Sequence, residues 1–225
     1  MFTLSQLIEK VRERADQQTS TFITDSELTG YINSSYAELY DILVSRFEDY
    51  YSAVEPFSIT AGNTHAVPAS FYKIRGIDLD VDGQWTTVYP FNFIERNRVA
   101  SRTRSILGRL GVNYRLMGNT LHFVPDDRAV GSYQMWYIPS YTPLVSMSDP
   151  LSDVLNFEEY IIVDAAIKCM VKEESDPSVL LMMKEQLRKR IEAMASNRDA
   201  GSPERIGDVN ASSNRFGGSF PYWWW

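Results

Sequence analysis

The chain has 225 residues, 44% of them apolar and 23% charged, with a formal net charge of −7. That is enough apolar material to bury a core in one large domain or two small ones, and it excludes disorder for the bulk of the chain. The negative balance argues against a general binder of nucleic acid or other polyanions, and no run approaches the ~18 apolar residues of a membrane span.

The first six residues lack a basic stretch followed by an apolar one, so the chain reads as soluble and unexported. Thr3 and Gln6 form a capping box, and Leu4, Leu7, Ile8 and Val11 follow at helical spacing up to a polar Gln17-Gln18-Thr19-Ser20 link. Thr24 and Glu27 repeat the signature, and Leu28, Tyr31, Ile32, Tyr36, Leu39, Leu43 and Phe47 carry a longer helix to about Tyr50.

The period then changes from helical to alternating. Residues 52–59 alternate toward Phe57 and Ile59, and Ala61-Gly62-Asn63 makes a turn. A β-hairpin is predicted from Lys73 to Tyr89 around Asp82-Gly83, a second from Tyr114 to Val124 around Gly118-Asn119, and a further strand from Ser132 to Ile138. Residues 91–104 read as a short helix or an arm, and Pro139, Pro143 and Pro150 mark an irregular return.

Residues 152–198 read as two helices in succession. Asn156 with Glu159 suggests a capping box, and from 157 to 171 apolar residues fall on almost every side, as in a helix covered on most of its circumference. Asp164 stands four residues before Lys168 as a supporting pair. The single cysteine, Cys169, lies within this buried run, which excludes an intramolecular disulfide and favours a small core residue over a nucleophile. Asp176-Pro177 starts the second helix, with Leu180, Met183, Leu187, Ile191 and Met194 on one stripe. The short connection implies an antiparallel hairpin whose first member is the inner one.

Beyond residue 198 the composition shifts to Gly, Ser, Asn, Pro and Arg and closes on Phe220-Pro221-Tyr222-Trp223-Trp224-Trp225. Such a tail cannot form its own core, yet its aromatics are the residue types that dominate interfaces, as in an arm that orders only on a partner. The expected fold class is therefore α+β, a helical bundle from N- and C-terminal helical pairs with an inserted antiparallel β-module and an extended C-terminal tail. The expected divisions are 1–51, 52–151, 152–198 (packing with 1–51) and 199–225.

A search for reaction chemistry finds little. The two histidines, His65 and His122, cannot make a His-rich metal site, and no G-x-S-x-G elbow is present. Asp78, Asp80, Asp82 and Gly83 match the first half of a calcium loop, but Tyr89 stands where the bidentate Glu is needed, and a strand entering an Asp-Gly turn explains the same residues. Gly108-Arg109-Leu110-Gly111 is neither a P-loop nor a dinucleotide fingerprint. No catalytic residue, metal ligand or cofactor is assigned. Residues 91–115 hold six arginines (96, 98, 102, 104, 109 and 115) against Glu95, a local balance of +5. Arg96, Arg98, Arg102, Arg104 and Arg109 are candidate contacts to DNA phosphates or to an acidic neighbouring subunit; a solvated face is the plain alternative.

The order of parts resembles the head-to-tail adaptor (connector) proteins of tailed bacteriophages. The resemblance covers about residues 3–210. It rests on the helical pair, the Tyr114-Arg115-Leu116 to Phe123-Val124-Pro125 hairpin, the Met135-Trp136-Tyr137-Ile138-Pro139 strand, and the helix from Phe157 through Lys168 with Lys172-Glu173-Glu174-Ser175-Asp176. It implies a non-enzymatic structural virion protein, made in the host cytoplasm and located in the neck. There it forms a ring, commonly of twelve copies, beneath the portal protein, extends the DNA channel and meets the tail or the next neck protein. No membrane partner is implied. The C-terminal segment is expected to dock on the portal, with Arg205, Ile206, Arg215, Phe216, Phe220, Tyr222, Trp223, Trp224 and Trp225 as candidate contacts. Two alternatives are a nucleic-acid-binding module using the 91–115 segment, and a head-completion or tail component in another layer.

Overall fold

The computed structural model describes residues 2–18, 22–97, 111–152 and 154–195. Among these are four α-helices, α1 (Leu4–Arg14), α2 (Asp25–Arg46), α3 (Glu158–Lys172) and α4 (Ser178–Ala195), and a seven-stranded sheet, so the fold is α+β.

Both N-terminal capping boxes form. Gln6 Oε1 accepts from the Thr3 N–H at 3.0 Å and Glu27 Oε2 from the Thr24 N–H at 3.0 Å, while each threonine hydroxyl caps in return. Two helices end on left-handed residues that are not glycine, Asp16 (φ 56°) and Glu174 (φ 58°). Gln17 N–H reaches back to Arg12 O at 2.8 Å and Ser175 N–H to Met170 O at 2.9 Å, the Schellman arrangement.

The start of α3 departs from expectation. Leu155 and Asn156 both lie in the left-handed region (φ 51° and 66°), whereas a capping residue needs extended backbone, so Phe157 precedes the helix and no side chain caps it. Glu159 pairs instead with Arg14 of α1. Helix α2 also stops at Arg46, short of Tyr50, and the turns that follow bring Phe47 and Tyr51 into the core. The Asp176 carboxylate accepts from the Ser178 N–H at 3.0 Å and starts α4 as expected.

One apolar core draws Leu7 and Val11 from α1, Ile32, Leu39 and Leu43 from α2, Ile161 and Ala165 from α3, and Leu180 and Ile191 from α4. Nine of the fifteen residues of α3 are buried, including Cys169, whose thiol burial pushes up to about 11. The buried stripe of α4 holds at Leu180 and Ile191 but not at Met194, which is exposed.

Among the described residues, Asp164 is the one charged group buried in this core. Its Oδ1 lies 2.8 Å from Lys184 Nζ of α4 and its Oδ2 2.8 Å from Lys168 Nζ. Lys184 also meets Glu38 of α2 at 2.9 Å, and the Tyr160 hydroxyl donates to Glu38 at 2.7 Å. Burial alone would raise the Asp164 carboxyl, but the two lysines outweigh it and hold it below the ordinary range.

The strands are β1 (Ala53–Ile59), β2 (Thr64–Ala66), β3 (Phe71–Val81), β4 (Gln84–Pro90), β5 (Asn113–Met117), β6 (Thr120–Val124) and β7 (Gly131–Pro139), in the order β1-β7-β3-β4-β5-β6-β2. The sheet is larger than the expected module, because the three-residue β2 adds to β6. Nor is it wholly antiparallel: β4 and β5 run parallel, with Tyr89 opposite Asn113. Asp82 and Gly83 (φ 54° and 84°) form a type I′ turn, and Gly118 (φ 60°) takes the first position of a II′ turn. Strands β1 and β2 stand at opposite ends of the order yet are consecutive in the chain. Phe57 of β1 stacks on His65 of β2 with ring centroids 4.0 Å apart, so the sheet curls until its ends meet over Phe123, Tyr133 and Leu121. Strand β7 serves both cores, since Tyr137 faces the sheet interior and the next residue, Ile138, belongs to the helical core.

Two consequences can be measured by thermal unfolding. Ile161→Asp, which places a charge at a fully buried position, should cost several kcal/mol and abolish cooperative melting; a soluble variant with unchanged melting contradicts the packing. Asp164 titrates lower in the folded chain than in the unfolded one, where its value is about 3.9. Its contribution is therefore complete above about pH 5 and is lost as acid protonates it. Asp164→Asn should lower stability at neutral pH and flatten the acid limb of the stability profile; an unchanged acid limb contradicts the role assigned to this carboxylate.

Candidate assembly surfaces

The residues that sequence singles out for partner contact divide sharply in the structure. Arg96 follows a single 3₁₀ turn, Phe93–Glu95, whose start is fixed by Asn92 Oδ1 accepting from the Ile94 N–H at 3.3 Å. Its guanidinium lies over the Phe93 ring, 4.7 Å from the centroid, and donates to the Phe93 carbonyl at 3.2 Å. Ile94 beside it is 85% exposed. Arg98, Arg102, Arg104 and Arg109 lie outside the described residues, as do Arg205, Ile206, Arg215, Phe216, Phe220, Tyr222, Trp223, Trp224 and Trp225. Arg115, counted in the same basic run, belongs to β5, where it donates to the Phe91 carbonyl at 3.1 Å. It holds the sheet together and is not part of an arm.

The remaining sequence candidates have structural roles. Asp80 Oδ1 accepts from the Gly83 N–H at 2.9 Å within the hairpin turn. Asp78 Oδ2 accepts from Trp136 Nε1 at 2.8 Å and from Gln134 Nε2 at 3.2 Å. His65 is stacked on Phe57, and burial pulls its pKa down.

The outer face of the sheet carries an aromatic surface that sequence reasoning did not pick out. Val88 of β4 points inward, so alternation turns Trp85 and Tyr89 outward, and the same alternation in β7 turns out Trp136 between the buried Met135 and Tyr137. Val54 of β1 stands directly opposite Trp136. That alternation was the signal available in the sequence. Trp136, Asp78, Thr87, Gly76 and Arg75 of the sheet line an open groove of about 390 Å³, bounded on the helical side by Asp49 and Ser52. Arg75 pairs with Glu48 and Asp49, and Lys73 with Glu48, which ties the end of α2 to β3. An aromatic wall beside carboxylates that are already hydrogen-bonded suits recognition by packing and charge.

Residues 2–207 match the model of a family described as SU10 adaptor protein. No curated protein matches the chain.

The chain has five tryptophans, three of them at 223–225, so a chain cut after Arg198 retains only Trp85 and Trp136. Both should be quenched efficiently by aqueous iodide in that truncated chain. Protection of either would contradict the open outer face.

Proposed function

The chain belongs to the SU10 adaptor protein family, a family of phage head-to-tail adaptors, and from that membership we propose that it builds a ring beneath the portal of a tailed bacteriophage. The match across residues 2–207 carries this reading, because it takes in every described helix and strand. The family is structural, and the described surfaces offer packing and charge for partners.

In this reading the four helices form the ring body, which a shared core and the buried Asp164 pairs make stiff enough for the purpose. The ring, of twelve copies, extends the DNA channel and links the capsid vertex to the tail or to the next neck protein. DNA passes without sequence-specific binding, and the net charge of −7 favours sliding over adhesion. The segment from about Arg198 onward docks on the portal protein through Arg205, Ile206, Arg215, Phe216 and the closing aromatics. The protein is made in the host cytoplasm and resides in the virion neck. No helix among the described residues is long and apolar enough to cross a membrane.

Deleting residues 199–225 should leave melting unchanged, because both described cores lie within residues 4–191, and should abolish or greatly weaken binding to the purified portal ring of the same virus. A truncated chain that binds as well as the full one rules the tail out as the anchor. DNA binding with a steep salt dependence, lost on replacing Arg102 and Arg104, would instead favour the basic segment as a nucleic-acid module.

A further inference from the structure

Strand alternation turns one face of β1, β7, β3 and β4 outward, and from Gly76 of β3 onward the side chains on that face include carboxylates and aromatic rings but no cation. Asp80 stands opposite Trp85, and Asp78 lies between Thr87 on one side and Gln134 on the other. The next row holds Gly76, Trp136 and Val54. Neither Asp78 nor Asp80 has a lysine or arginine partner among the described residues; their hydrogen bonds come from Trp136, Gln134 and the Gly83 N–H. The two cations at the border of the face, Lys73 and Arg75, are taken up by Glu48 and Asp49. The face is therefore negative, with Trp85, Tyr89 and Trp136 exposed across it.

A guanidinium is the group such a surface holds best, because its plane stacks on an aromatic ring while its edge pairs with a carboxylate. Residues 98–110 supply four, from Arg98, Arg102, Arg104 and Arg109, and contain no acid. They carry +4, so the remaining residues carry −11, and copies set side by side repel unless this segment meets the carboxylates of a neighbour. The segment is tethered at Asn97 and Gly111, and thirteen residues reach at most about 20 Å out and back, enough to cross onto an adjoining copy. Bound to its own copy, the same segment would cancel charge but hold no neighbour.

We propose that the outer sheet face of one copy, at Asp78, Asp80, Trp85 and Trp136, receives the arginine-rich segment 98–110 of the neighbouring copy. The contact joins two different surfaces and so runs head to tail, the kind that closes a ring. This rests on the ring reading above and names the surface and the segment that join its copies.

The test uses the full chain with the photoreactive residue p-benzoylphenylalanine in place of the exposed Trp85. Isotopically heavy and light chains are mixed, assembled on the portal ring of the same virus and irradiated, and the crosslinked peptides are identified by mass spectrometry. The pairs should include heavy and light combinations, joining position 85 of one copy to residues 98–110 of another. Arg102→Glu with Arg104→Glu should lower their yield about tenfold, and adding Asp80→Lys with Thr87→Lys on the outer face should restore it. Rings whose crosslinks stay within one copy, go to the portal or do not form, or whose yield ignores the arginine replacements, overturn this contact and leave the ring standing. A folded full chain that does not assemble on the portal overturns both.

Discussion

Asp164 sits inside the helical core, where a lone carboxylate would cost several kcal/mol, and it is tolerated because Lys168 and Lys184 each approach to 2.8 Å. Those two lysines come from different helices, and Lys184 in turn holds Glu38 of α2. Lys168 belongs to the same helix as Asp164, so it is the second oxygen that reports on packing: Lys184 reaches it only when α4 packs on α3 in this register, and Glu38 of α2 holds Lys184 there. A slip of α4 by one turn would withdraw Lys184 and leave the buried carboxylate with Lys168 alone. The apolar contacts of α3 supply the bulk of the driving force, and this pair of ion contacts selects one among the packings that would bury the same surface.

Order passes from the helices to the sheet through β7. Tyr137 and Ile138 are consecutive, and the two-residue period of a strand sends one into each core. The Tyr40 hydroxyl of α2 donates to the Pro139 carbonyl at 2.6 Å, and Lys73 and Arg75 of β3 bind Glu48 at the end of α2. The helical core and the curled sheet are therefore joined by hydrogen bonds and ion pairs as well as by apolar contact. The surfaces of the two cores are thereby held in a fixed geometry relative to each other.

Local signals were legible in the sequence and non-local ones were not. Thr3-Gln6 and Thr24-Glu27 announced their helices because a capping box lies wholly within four residues. Asp82-Gly83 and Gly118-Asn119 announced their hairpins for the same reason. Asn156 misled, because an asparagine accepts the left-handed backbone as readily as it caps, and only the surrounding packing decides which. Asp16 and Glu174 carried no stop signal, since the Schellman ends here use no glycine. Strand β2 is three residues long, too short to show a period, and its partner β6 is more than fifty residues away. The parallel register of β4 and β5 and the meeting of β1 with β2 are likewise products of closure. Of the candidate contacts, the aromatic tail and most of the basic segment stand out by composition. Trp85, Tyr89 and Trp136 passed unnoticed because an outward aromatic in a strand looks like an inward one until Val88, Met135 and Tyr137 are known to point the other way.

Membership in the SU10 adaptor family gives these surfaces a purpose. A helical core organised around the Asp164 ion pairs and a curled sheet with an aromatic outer face give an adaptor surfaces on which other phage structural proteins can pack. The most direct test of that account is electron cryo-microscopy of the neck of the virion that carries this chain. The account predicts a ring of copies between portal and tail, each fitted by residues 2–195 without rearrangement of the two cores. Density for the chain in the capsid shell or in the tail away from the portal, with another protein filling the neck, would contradict it.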